Sequence, residues 1–119
     1  LAGRKGELVE ALEDWIRETP DLWPARSLCA WLLATAADDR VRDGARALAL
    51  LKEHFPASHD PDSLDTLAAA QAAAGKFEAA QETILRALEL SQDWSPQMRG
   101  GLLSRQAAYG RGEAWIETP

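Results

Sequence analysis

Alanine and leucine fill 40 of the 119 positions, whereas valine and isoleucine together fill only 5. Strands favour β-branched and aromatic side chains, while alanine and straight-chain residues favour helix, so a β fold is effectively excluded. The expected fold is all-α. A chain of this length makes one small domain and buries roughly two thirds of its unfolded surface. No apolar run approaches the ~20 residues needed to cross a bilayer, which predicts a soluble segment with no membrane partner. The single cysteine, Cys29, excludes an internal disulfide framework. Nineteen acidic residues stand against 13 Lys and Arg, of which only Arg4 and Lys5 adjoin. A net charge of −6 spread in this way repels phosphate backbones and argues against nucleic-acid binding.

Breakers divide the chain into six helical segments. Between Gly6 and Glu18, Leu8, Ala11, Leu12, Trp15 and Ile16 recur at helical spacing as one apolar stripe, ended by Thr19-Pro20. Pro24 suits the first turn of a second helix, whose stripe is Ala25, Leu28, Cys29, Leu32, Leu33 and Ala36. After Ala37-Asp38-Asp39-Arg40, with Asp39 or Asp43 as cap, Leu48, Leu51 and Phe55 line a third helix ending before Pro56. Asp60-Pro61 is the clearest start signal, an aspartate cap before a first-turn proline. That fourth helix carries Leu64, Leu67, Ala68 and Ala72, and stops at Gly75. Phe77, Ala80, Ile84, Ala87 and Leu88 line the fifth. Ser95-Pro96 opens a sixth through Met98, Leu102 and Ala108, ending near Gly110. Connections this short predict antiparallel hairpins.

The stretch Leu64-x-x-Leu67-Ala68-x-x-Gln71-x-x-x-Gly75-x-Phe77-x-x-Ala80-x-x-x-Ile84-x-x-Ala87 resembles a tetratricopeptide (TPR) repeat. Ala68, Gln71 and Ile84 stand where that family places a glycine and two aromatics. Ala30-Trp31-Leu32-Leu33-Ala34-Thr35 and Arg42-Asp43-Gly44-Ala45 strengthen a likeness to the last repeats of large bacterial TPR proteins. The resemblance implies a single domain, a helical-hairpin solenoid over 1–119. Residues 6–20 would be the second helix of a truncated repeat, 23–57 and 61–92 two repeats, and 95–119 a capping helix and tail. The turn from Ala36 to Gly44 is longer than the family allows, which leaves the register of the third helix open.

First helices of such arrays line a concave groove. The resemblance therefore implies a partner-binding set of Ser27, Trp31, Ala34 and Thr35, then Asp62, Asp65, Ala69, Ala72 and Ala73, then Arg99, Leu103 and Gln106. Trp31 is the large aromatic of that set, of the type enriched at interface anchors, although packing against the preceding helix is the favoured reading. The alanines at 68–70 and 72–74 leave the fourth helix nearly bare, and close helix packing is expected over an open trough. The lysines and asparagines that clamp a carboxylate in some TPR domains are absent, so an apolar or basic peptide suits the groove better. Trp15-Ile16-Arg17-Glu18-Thr19-Pro20 is echoed by Trp115-Ile116-Glu117-Thr118-Pro119. The first tryptophan is expected to face inward, and the second stretch to dock on the last helices with Trp115 and Ile116 as plugs.

Chemistry is poorly represented. His54, His59, Asp60, Asp62 and Asp65 cluster in sequence, but Asp60 is better explained as a cap, and no metal or other cofactor is expected. Cys29 reads as a small buried apolar residue. No phosphate loop, nucleophile elbow or zinc-peptidase motif occurs, so the chain is expected not to be an enzyme. The expected function is a protein–protein interaction scaffold that holds a peptide or partner domain. Self-association, the end of a longer scaffold, and an accessory segment of an enzyme are the alternatives. Exposure of Leu8 or Trp15 would favour the longer scaffold. The chain opens on Leu1 with neither a basic nor an apolar leader, which reads as a piece of a longer protein and leaves the cytoplasm slightly favoured.

Overall fold

The computed structural model describes residues 3–51 and 60–117. Six helices follow one another: α1 (Gly3–Glu18), α2 (Trp23–Thr35), α3 (Gly44–Leu51), α4 (Pro61–Ala73), α5 (Phe77–Leu90) and α6 (Pro96–Gly110). No strand occurs among the described residues. The local signals act as elementary chemistry dictates. The Asp60 carboxylate accepts from the Asp62 N–H at 3.4 Å, and Ser95 Oγ accepts from the Met98 N–H at 3.3 Å. Gly75 turns the chain out of α4 at φ +82°, and the Lys76 N–H closes back on the Gln71 carbonyl at 2.8 Å. Helix α6 ends at Gly110, as expected. Gly112 is the left-handed residue (φ +73°), and the Glu113 N–H bonds the Ala108 carbonyl at 2.9 Å.

Each helix packs on its neighbour in sequence, and α4 also packs on α2. Helix α4 is therefore touched by α2, α3 and α5, which is why its alanines are small: Ala68, Ala69, Ala70 and Ala72 are all buried. Close packing accounts for them. Gly44 serves the same purpose at the start of α3, where a Cβ would lie 2.4 Å from the backbone of Ala73 and Ala74. The core runs from Val9, Leu12 and Ile16 through Leu33 and Leu51 to Ile84, Leu102 and Tyr109.

Where the expected family pattern has an aromatic, Gln71 of α4 instead meets α5, with Thr83 Oγ1 2.7 Å from its Oε1. Arg26, buried in α2, donates to the Leu50 carbonyl at 2.8 Å and the Pro20 carbonyl at 3.1 Å. It thereby ties α2 both to the C-terminal carbonyls of α3 and to the turn before α2. The long connection before α3 is organised rather than slack. Val41 is buried, the Asp43 N–H bonds the Leu33 carbonyl at 2.7 Å, and Arg42 donates to the Ala36 carbonyl at 2.7 Å.

Five expected burials are corrected. On α1 the core takes Val9, Leu12 and Ile16, while Leu8 (42% exposed), Ala11 and Trp15 (55% exposed) face outward. Because α1 packs mainly on α2, with the Glu13–Arg46 ion pair reaching α3, it buries a narrow stripe, and the rival stripe about 100° round the helix stays in water. Leu28 and Met98 are likewise exposed. Phe55, His54 and His59 lie outside the described residues.

Candidate functional site

The N-terminal halves of α2 and α4 lie side by side, so a cavity of about 480 Å³ opens between them. Trp23, Ser27, Leu28 and Trp31 line it from one helix, and Asp60, Asp62, Asp65 and Thr66 from the other. Ser27, Trp31, Asp62 and Asp65, expected in the groove from the sequence, are thus brought together. Thr35 is not exposed in it: its side chain is buried and its hydroxyl donates to the Trp31 carbonyl at 2.7 Å. Ala69 is buried in helix packing. Ala34 and Ala72 are buried as well, and Ala73 is half-buried.

The sixth helix enters by a different face from the one expected. Arg99 turns to the end of α5, donating to the Leu88 carbonyl at 3.1 Å, while Leu103 is exposed and Gln106 half-buried outside the cavity. Arg105 instead reaches one of the residues that line the cavity, Asp65. Its Nε and Nη2 bond the two Asp65 oxygens at 2.7 and 2.8 Å. This two-pronged geometry is the fork a guanidinium offers a carboxylate. The guanidinium lies over two indoles, 5.5 Å from the Trp31 ring centre and 5.6 Å from that of Trp115. An arginine at i+3 from Leu102 and four before Tyr109, both core residues, is the signal that could have found it.

Trp115 arrives on a non-helical segment, residues 113–117, that leaves α6 after Gly112. Its ring packs against the core, and the Glu117 N–H bonds the Thr35 carbonyl at 2.8 Å, so the tail crosses from α6 to the C-terminal end of α2. Docking within the molecule therefore occurs as expected for Trp115. Ile116 departs from the expectation, being 42% exposed.

Electrostatics follow burial. Desolvation pushes the Asp65 carboxyl above the ordinary aspartate range, against the opposing pull of Arg105, and the nearby Asp62 and Glu117 carboxylates add to the rise. Burial likewise raises the Tyr109 phenol, and the neighbouring Asp65 carboxylate adds to it. Tyr109 Oη and Trp115 Nε1 are buried with no hydrogen-bond partner among the described residues. Burial pushes the Cys29 thiol up to about 11, well away from the thiolate form that nucleophilic chemistry requires. The Asp60 carboxylate, aligned with the start of α4, caps that helix. The arrangement holds the Arg105 guanidinium against two indoles and the Asp65 carboxylate, with the chain's own non-helical segment 113–117 alongside. Compared with known proteins, the chain matches no family model, no curated protein and no solved structure.

Proposed function

We propose that this chain is an interaction scaffold of the tetratricopeptide kind, which seats a short non-helical peptide in the groove bounded by α2, α4 and α6. The observation that supports this reading is a segment the fold already seats: residues 113–117 of the chain itself run from α6 to the C-terminal end of α2, with Trp115 against Arg105 and the Glu117 N–H on the Thr35 carbonyl. A groove that accepts a tethered segment through one indole and one main-chain bond has the chemistry to accept an untethered one. The succession of helix contacts, including α2 against α4, is what a stack of helical hairpins requires.

The test uses the full chain carrying Trp115→Ala, which loosens the resident segment, and a synthetic peptide matching residues 112–117. Saturable binding by calorimetry, stronger than to the wild-type chain, is the expected result. A folded variant that ignores the peptide overturns the proposal.

One observation favours a second reading, in which the molecule packs on another helical unit: Leu8 and Trp15 share an exposed face of α1. Sedimentation velocity over a concentration series distinguishes the two, since packing between copies gives a species that grows with concentration and is lost in Trp15→Ser.

A further inference from the structure

The chain beyond α6 consists of two pieces that are held in different ways. Gly112 and Glu113 belong to the helix end: their N–H groups bond the Tyr109 and Ala108 carbonyls at 3.0 and 2.9 Å, and Arg111 Nε meets the Glu113 carboxylate at 3.0 Å. Ala114 to Glu117 have no such local support. Among the described residues, their single backbone–backbone hydrogen bond runs from the Glu117 N–H to the Thr35 carbonyl. Their large apolar contact is the half-buried Trp115 ring, set on the core and over Arg105, while Ile116 is exposed.

The indole that fastens this strap carries a cost of its own. Trp115 Nε1 is buried with no hydrogen-bond partner among the described residues. A desolvated donor disfavours the shut strap, and water satisfies it when the strap lifts. The surface underneath does not need the strap to keep its shape. Arg105 retains both hydrogen bonds to Asp65 on α4, at 2.7 and 2.8 Å, and retains the Trp31 ring at 5.5 Å. The Thr35 carbonyl is fixed by α2. Opening therefore frees a face without loosening the helices that form it.

We infer that residues 114–117 are a strap that opens as a unit while the six helices stay folded, and that this opening gates access to the Arg105 face and the Thr35 carbonyl. The opening stands on the contacts of the strap itself, whereas its role as a gate rests on the scaffold reading above. A partner segment that uses the same face and the same carbonyl engages only when the strap is up. Its affinity is reduced by the fraction of molecules in that state.

The experiment follows hydrogen exchange of the full wild-type chain by NMR in a series of low urea concentrations. The reporters are the Glu117 amide and the Trp115 indole N–H for the strap, and the Ile84 and Leu102 amides for the core. The two strap protons should share one protection of about thirtyfold, the ratio that the half-buried Trp115 contact supplies, and should ignore urea. The core amides should be protected more than about a thousandfold and lose protection as urea rises. Glu117→Pro removes the N–H that bonds Thr35 and leaves every core side chain in place, so it should lower the protection of the Trp115 indole several-fold. In calorimetry, the peptide of residues 112–117 should bind Trp115→Ala more tightly than the wild type by the factor that exchange gives for the strap, with Glu117→Pro between them. Glu117→Pro carries the comparison if Trp115→Ala loses its core protection.

Strap protons that match the core amides in size and urea dependence, that differ from each other, or that show no protection each overturn the inference. So does a peptide that binds the wild type and the variants equally. In all of these cases binding of the peptide to Trp115→Ala leaves the scaffold reading standing. A peptide that binds none of the chains, with core exchange intact, removes the gate and the scaffold reading together.

Discussion

The dipeptide Trp-Ile occurs twice, followed each time within two residues by Glu-Thr-Pro, and the two copies meet opposite fates. At the end of α1, Ile16 is 7% exposed and Trp15 stands in water. In the tail it is Trp115 that packs on the core, while Ile116 is exposed. Consecutive side chains on a helix point about 100° apart, so α2, the helix on which α1 mainly packs, can cover one of the pair but not both. The tail is not helical, and its burial follows from a partner on the preceding helix, α6: the Arg105 guanidinium, already held by Asp65 of α4, offers a flat charged face that suits an indole and not an isoleucine. Identical local sequence therefore carries no instruction about which residue is buried. The surface that waits for it does.

Four substitutions sharpen or break that contrast. The largest effect is expected from Ile16→Ala, which removes a buried side chain from the α1–α2 contact and should cost about 2–4 kcal/mol in urea unfolding. An effect below the value for Trp115→Ala would mean that α1 is the less firmly held of the two. Trp115→Ala should cost about 2 kcal/mol, less than a fully buried tryptophan because the ring is only half-buried.

The second cost should depend on pH. Burial raises the Asp65 carboxyl, and a raised carboxyl favours the folded state below the ordinary aspartate range and loses that contribution as pH rises through its folded value. Removing the Trp115 ring lets water toward Asp65 and lowers that value. The penalty of Trp115→Ala should therefore be greatest in acid and shrink toward neutrality, and a penalty that grows on going from acid to neutral pH contradicts this account of Asp65.

Cys29 reports on the same contrast without a label. Its thiol is buried and pushed up to about 11, so at pH 8 a disulfide reagent should reach it only through opening of the structure. Ile16→Ala should accelerate the reaction more than Trp115→Ala does. The smallest effects belong to the outward-facing partners: Trp15→Ala and Ile116→Ala should each change stability by no more than about 0.5 kcal/mol.

Much of the local structure was legible before any coordinates. Asp60 and Ser95 cap their helices, and Gly75 takes the left-handed turn, because each of these outcomes is settled by atoms within about four residues of the side chain concerned. The alanines of α4 announced close packing for a similar reason, since small side chains have little else to offer. The groove was half legible. Ser27, Trp31, Asp62 and Asp65 were reached through a repeat pattern, but that pattern set α6 on Arg99, Leu103 and Gln106 and passed over Arg105.

The sequence alone decided that the chain is helical and where most of its helices start and stop, because alanine and leucine content, caps and glycine turns act over one helical turn. Tertiary structure alone decided which of two adjacent stripes on α1 went inward, that Gly44 had to yield its side chain to the backbone of Ala73 and Ala74, and that Arg105 rather than Arg99 met Asp65. Those choices compare faces that look alike in sequence, and the energy that separates them exists only once another helix is pressed against one of them.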